Sequence, residues 1–345
     1  MAYSTISKPS LHFNTKLYTG TGSAQNITGV GFQPDLVWTK KRNASGSHYL
    51  TDAVRGVGEA LFTDDTSGEY DYGSAGVTAF NSDGWSVGNN AAMNGSGSTQ
   101  VGWNWKANGA GSANTNGSIN STVSVNATAG FSIVKYTGTG ANATVGHGLG
   151  AVPKMIIIKE TDATTNWIVY HVGVGNGGSL QLNTTIATDT DGTFWNSTTP
   201  TSSVFSLGSN GNSNGSSDNY IAYCFAEKTG YSKFSSYEGN NNADGTFVYT
   251  GFKPSFIMFK NIDTAGAYWV IKDNKRSATG GTNENKYVLY PNGNDAEGTN
   301  SSGIDLLSNG FKLRESAAGT NQNTVIYMAI GQSIVGSNNV PATSR

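Results

Sequence analysis

Pro153-Lys154-Met155-Ile156-Ile157-Ile158-Lys159 is the stretch on which the fold turns. A proline opens it, an unbroken apolar run follows, and a lysine closes it. Strict alternation would mark a strand with one wet face. Apolar residues at successive positions over strand length mark one covered on both faces, as in the centre of a sheet. Proline fits the first place of such a strand, where it removes no ladder hydrogen bond. The same spelling occurs twice more, as Pro34-Asp35-Leu36-Val37-Trp38-Thr39-Lys40 and Pro254-Ser255-Phe256-Ile257-Met258-Phe259-Lys260.

Upstream of each proline, at 16, 17 and 17 residues, stand Tyr18-Thr19-Gly20, Tyr136-Thr137-Gly138 and Tyr237-Glu238-Gly239. Downstream, Asp52 and Arg55 match Asp273 and Arg276, and Trp167 matches Trp269. Gly84-Trp85-Ser86-Val87 matches Gly310-Phe311-Lys312-Leu313. Each copy closes on an aromatic strand: Val101 to Trp105, Tyr220 to Phe225, and Val325 to Ala329. So many matches at fixed offsets mark an internal repeat. The expected fold is all-β, with three homologous β-sandwich or jelly-roll-like modules in tandem. Its divisions are an N-terminal arm (1–11), module 1 (12–106), a Gly/Ser/Asn-rich linker (107–129), module 2 (130–228), module 3 (229–335) and a C-terminal tail (336–345). The linker composition is that of a flexible segment. Its alternating Thr122-Val123-Ser124-Val125 also allows an extended arm lying on a neighbour. Only Glu227 to Gly230 joins modules 2 and 3, so these two should be rigidly apposed.

Composition agrees. Of 345 residues, 46 are Gly and 13% are charged, against usual shares of about 7% and 25%. Long surface helices need Ala, Glu, Lys and Leu, and disorder needs few aromatics; here 11% are aromatic. Asn, Gly, Ser and Thr suit turns. A net charge of -2 excludes a nucleic-acid partner, which requires a basic excess. No apolar run is long enough for a transmembrane helix, so no membrane insertion is expected. The N-terminal residues lack a signal-peptide order, which points to synthesis in a cytoplasm. The single cysteine, Cys224, lies in an apolar strand and reads as a buried structural thiol.

Candidate chemistry is sparse. His48, Asp52 and Arg55 could contribute to a hydrolytic site if a serine joined them. The third copy keeps Asp273 and Arg276 but has Trp269 for His48, so the Asp–Arg pairs read as structural, as do Pro34, Pro153 and Pro254. Asp189-Thr190-Asp191-Gly192 and Asn81-Ser82-Asp83-Gly84 lack the spaced ligands of a calcium loop and read as turns. Gly20-Thr21-Gly22 and Gly138-Thr139-Gly140 lack a phosphate-loop lysine. No metal site, cofactor or catalytic residue is expected. Asp64, Asp65, Glu69 and Asp71 form an acidic cluster beside Tyr70 and Tyr72. Aromatic faces stack on pyranose rings and carboxylates hydrogen-bond hydroxyls, so Tyr70, Asp71 and Tyr72 are candidate ligand-binding residues. Trp195, in the polar loop Thr193 to Thr199, is a fourth. Trp38, Trp103, Trp105, Trp167 and Trp269 lie on predicted strands and are assigned to the core.

Phe13 to Gly20 through Pro34 to Trp38 resembles an uncharacterised β-rich structural protein family of marine tailed bacteriophages. So do Asp52-Ala53-Val54-Arg55-Gly56, Asn104-Trp105-Lys106-Ala107, Ile221 to Tyr231 and the ending Val335 to Pro341. The motifs are scaffold motifs and bring no catalytic residue. One departure is Ala329-Ile330-Gly331-Gln332-Ser333, where the Phe225-Ala226-Glu227-Lys228 type of strand end is lost. The resemblance implies a virion protein, tail-associated or fibre-like, made in the host cytoplasm and assembled with other virion proteins. Its module loops would bind a host surface glycan. A capsid-decoration or tail-assembly role is the alternative, and a polysaccharide-degrading enzyme working through Asp64 to Asp71 a third. By analogy with phage fibres the chain would be a homo-oligomer, with a trimer among the options; the three units could equally make one chain a pseudo-trimer.

Overall fold

The computed structural model describes residues 6–276 and 284–332. The tail 336–345, and with it the whole of the Val335 to Pro341 ending, lies outside these residues, as does the start of the arm. The first part of the chain runs β1 (Phe13–Thr19), β2 (Gln25–Thr28), β3 (Leu36–Lys41), β4 (His48–Asp52) and β5 (Glu59–Phe62). It continues through β6 (Tyr70–Asp71), β7 (Val77–Asn81), β8 (Gly84–Val87), the one-turn helix α1 (Ala91–Asn94) and β9 (Thr99–Trp105). Next come β10 (Ser112–Asn114), β11 (Ser121–Asn126), β12 (Phe131–Thr137), β13 (Ala143–Gly146), β14 (Pro153–Glu160) and β15 (Ile168–His171). β16 (Leu180–Gln181), β17 (Val204–Leu207), α2 (Gly211–Asn214) and β18 (Asn219–Ala226) follow. The last part holds β19 (Ser232–Asn240), β20 (Phe247–Tyr249), β21 (Pro254–Asn261) and β22 (Val270–Asp273). It ends with β23 (Glu284–Val288), β24 (Gly298–Leu307), β25 (Gly310–Leu313) and β26 (Gln322–Gly331).

The fold is an all-β sandwich. Three large antiparallel sheets contain the orders β1-β9-β3-β4, β12-β18-β14-β15 and β19-β26-β21-β22, one connectivity used three times. Three further sheets back them: β2-β8-β7, β13-β17 and β20-β25-β24-β23. The apolar runs now have their physical reason. In β14, Ile156 and Ile158 face the core shared with the smaller sheet, while Met155 and Ile157 face a core common to all three large sheets. β21 divides in the same way, Ile257 and Phe259 on one side, Phe256 and Met258 on the other. Trp38, Trp103 and Trp105 join the common core with Phe131, Phe225 and Met328. Period-two alternation on a strand buried on both faces therefore builds two cores at once.

Two departures concern the connections. Residues 107–129 are built into the structure: β11 pairs with β12 over Ser121–Asn126, and β10 pairs with β11. Asp35 holds the start of this stretch by accepting from Ala107 N (2.6 Å) and Gly109 N (3.0 Å). Alternation at 122–125 decided the outcome over the linker-like composition, and the segment extends the second sheet. At the other end, β26 is paired on both sides, by β19 and by β21, and runs to Gly331. The altered spelling after Ala329 thus lies in a central strand.

The Tyr-x-Gly motif ties a loop to each large sheet. Tyr18, Tyr136 and Tyr237 donate their hydroxyls to the carbonyls of Met93 (2.8 Å), Ser213 (2.7 Å) and Thr320 (2.5 Å). The next residue in each loop is a fully buried asparagine: Asn94, Asn214 or Asn321. Its Nδ2 donates to two carbonyls, Ser23 and Gly88, Ala141 and Gly208, or Asn242 and Glu315. Glycine is required beside the tyrosine because the loop backbone touches it. A Cβ on Gly20 or Gly138 would stand 2.2 Å from the carbonyl oxygen of Gly95 or Gly215. The lysine that ends each motif is buried too. Lys40, Lys159 and Lys260 donate to the carbonyls of Lys41, Glu160 and Asn261, and burial pulls each ammonium down to about 8.

Candidate functional site

The Asp–Arg pairs sit where the large sheets meet. Asp52 Oδ1 accepts from the amides of Val54 and Arg55, and its Oδ2 takes the Arg55 guanidinium at 2.6 Å. Asp273 and Arg276 repeat this, with Oδ2 at 2.5 Å from Nε. Each arginine reaches a further carboxylate, Glu69 at 2.8 Å or Glu297 at 3.0 Å. The two aspartates also receive a hydrogen bond from the next sheet: Tyr223 donates to Asp52 (2.8 Å), and Trp103 donates to Asp273 (3.0 Å). The corresponding residue of the second sheet is His171. Its Nδ1 accepts from Gly173 N, so the proton sits on Nε2, which donates to the carbonyl of Tyr327 in the third sheet (3.1 Å). Second joins first, first joins third, and third joins second, so the contacts close into a ring.

A parallel ring passes through His48, Trp167 and Trp269. Trp167 Nε1 donates to Phe62 O (2.8 Å) and Trp269 Nε1 to Gln181 O (2.9 Å), each in the preceding sheet. His48 takes the third place, its ring beside the Tyr290 backbone. His48 Nδ1 accepts from Trp38 Nε1 at 2.9 Å, and the imidazole is fully buried between Trp38 and Trp103. Burial holds it well below the usual histidine range. His48 and Asp52 share β4, yet both are spent on packing and on sheet-to-sheet contacts.

The predicted acidic cluster is dispersed among structural duties. Asp64 accepts from His48 N (2.9 Å), Asp65 from Ser67 N (2.9 Å) and Asp71 from Gly73 N (2.6 Å), while Glu69 pairs with Arg55. Asp189 and Asp191 likewise accept from Asp191 N and Thr193 N in consecutive turns. Among the described residues, no group of three His, Cys, Asp or Glu is placed to hold a metal ion. Cys224 is buried, and burial pushes its thiol up.

Of the candidate ligand-binding residues, Tyr70, Asp71 and Tyr72 are brought together on the edge strand β6 and just after it. Tyr70 is 56% exposed and Asp71 is exposed. Tyr72 is half-buried against Tyr49 and Phe62, its ring 4.6 Å from that of Tyr70. Trp195 belongs elsewhere and is a correction. It is 1% exposed, packed edge-on to Tyr170 in the core of the second sandwich. The loop around it is polar, but the indole closes the end of that core.

A second aromatic pair was not anticipated. Tyr268 is 44% exposed, and its ring lies 5.0 Å from that of Tyr290. The two flank a groove of about 370 Å³ between the loop Thr264–Tyr268 and the loop Ala317–Thr320. Its sequence signal is weak: Tyr268 precedes Trp269 directly, and Tyr290 lies beyond the next two strands. Nothing in the spacing pairs them.

The sequence pattern of a domain of unknown function, DUF7483, matches residues 8–333, spanning all three large sheets. The chain belongs to the DUF7483 family. No curated protein matches it.

Proposed function

We propose that this DUF7483 chain is a non-enzymatic structural protein of a tailed-phage virion, tail-associated or fibre-like, and that its loops bind a host surface glycan. The observation that carries this reading is the division between interior and exterior. Repeated motif residues are consumed in holding the sheets together, and the acidic cluster is consumed in turns and ion pairs. What faces solvent is a charge-poor set of Asn, Gly, Ser and Thr loops together with exposed tyrosines on loops and short strands, Tyr70, Tyr249 and Tyr268 among them. Such a surface offers ring faces and neutral hydrogen-bonding groups without a strong field, which suits shallow contact with sugar hydroxyls. Each contact is weak, and many copies on one particle supply avidity. Other virion proteins are the assembly partners, and the virion is the place of action.

The test is adsorption of the labelled chain to host cells, with and without periodate oxidation of the surface sugars. Periodate-sensitive adsorption is expected. Absence of adsorption by both the isolated chain and the intact particle removes the receptor role and leaves capsid decoration or tail assembly, which a reconstruction of the particle locates.

A further inference from the structure

We infer that the groove between Tyr268 and Tyr290 is a saccharide subsite for one neutral pyranose ring, an assignment that rests on the glycan-binding reading above. Its volume, about 370 Å³, lies at the small end of the range for ligand pockets, roughly 300–1,000 Å³. None of the side chains lining it is charged, so an anionic sugar or a phosphate would find no counter-charge in the lining. Two tyrosine rings at 5.0 Å and inclined by 50° present aromatic surface with a polar edge, a combination suited to partly wet ligands. The small residues Gly266, Ala318 and Gly319 keep the opposing walls low enough for a flat ring to enter.

The groove is also preformed. Fully buried Asn261 spans its two walls: Oδ1 accepts from Thr264 N (2.9 Å) on one side, and Nδ2 donates to Ala318 O (2.7 Å) on the other. Asn323 Nδ2 donates to Thr264 Oγ1 (3.0 Å), and Lys260 Nζ donates to Ala267 O (2.9 Å). Walls fixed in this way lose little freedom when a ligand binds, which lowers the entropic cost of a weak contact. The Tyr70–Tyr72 pair has no such enclosure. It lies on an edge strand, and only one of its rings is well exposed.

The probe is a set of neutral hexaoses built from glucose, galactose and mannose, titrated into the full chain and followed by saturation-transfer NMR. Saturation should reach the ring protons of at least one hexaose. Tyr268→Ala should weaken that binding tenfold or more, whereas Tyr268→Phe should retain most of it. Ala318→Arg, at an exposed position, should abolish binding by filling the groove. If no hexaose binds the unaltered chain, or if Tyr268→Ala and Ala318→Arg bind as it does, the assignment is wrong. Periodate-sensitive adsorption that survives in Tyr268→Ala would overturn the subsite and leave the glycan reading intact. Adsorption insensitive to periodate would overturn both.

Discussion

His171 occupies the place that Asp52 and Asp273 hold in the other two large sheets, and the exchange has a pH signature. Burial lowers its pKa to about 4, against the opposing pull of the Tyr327 carbonyl. In the unfolded chain the ring titrates near about 6.5. Between these values the unfolded state binds the proton and the folded state does not, so stability falls as pH falls through that window. The slope is at most about 1.4 kcal/mol per pH unit for one group. Asp35, Asp64 and Glu160 are raised by burial and act in the opposite direction. They are common to any pair of variants and cancel in a comparison. His171→Gln can still donate to Tyr327 but does not titrate. Urea midpoints at pH 7 and pH 4 should therefore fall further for the unaltered chain than for His171→Gln, by the equivalent of about 3 kcal/mol. Equal losses would mean that His171 does not titrate across the seam. At this scale the Asp–Arg pairs were readable because both members lie three residues apart. Their donors were not: Tyr223 is 171 residues from Asp52, and Trp103 is 170 from Asp273. Trp195 was misread because a polar loop declares a turn without saying what packs beneath it.

Elements follow from short-range spelling more readily than sites do. The Pro-to-Lys runs gave central strands covered on both faces, because apolar residues at successive positions leave no wet side. The Tyr-x-Gly spelling marked a constraint, but the buried asparagine that completes it, Asn94, Asn214 or Asn321, lies some 80 residues downstream in each copy and was invisible as a partner. The glycine gives the sharpest test of this knot. Gly138 has an ordinary backbone conformation, so a substitution meets only the neighbouring loop. A methyl there would lie 2.2 Å from Gly215 O and 2.9 Å from the Tyr220 ring. Gly138→Ala should then cost about 1–3 kcal/mol, the scale of overpacking in a closed site. Gly46→Ala, where a methyl meets nothing within 4 Å, is the control and should be neutral or slightly stabilising. Denaturant midpoints measured side by side decide the matter; equal midpoints would mean the loop can move aside freely. The 107–129 stretch belongs to this scale as well. Its composition and its alternation pointed in different directions, and hydrogen bonding to the free edge of β12 settled it, since an extended segment beside an open edge satisfies its own backbone groups and the edge's together.

At the scale of the whole molecule, the decisive property is closure. Each large sheet meets both others through one apolar core and through one closed ring of hydrogen bonds, so the first and third sheets are joined directly although no continuous chain links them. Arg42 and Glu297 add an ion pair there, with Nη2 at 2.7 Å from Oε1, and Gly46 N donates to Asn294 O. Repeats that only stack in a row have free ends and add stability unit by unit. A closed ring has no free end, and no one of its sheets can leave without exposing the common core. The chain ends make this testable. Gly331 N donates to Tyr231 O (2.7 Å), and the His12 ring lies 6.1 Å from that of Tyr231. The described start and finish of the chain thus meet at the junction between the second and third sheets. Joining Arg345 to Met1 and opening the chain between Lys228 and Thr229 should leave every seam intact. The permuted chain is expected to unfold in one transition with a midpoint close to that of the original, while a chain ending at Lys228 should fail to fold because Trp103, Trp38 and Phe13 would lose Phe256, Met258 and the Asp273 carboxylate. Circular dichroism and urea titration of the two variants separate the cases: a well-folded truncated chain, or a permuted chain melting in separate steps, would mean that the three sheets stand side by side and that the ring contributes nothing to cooperativity.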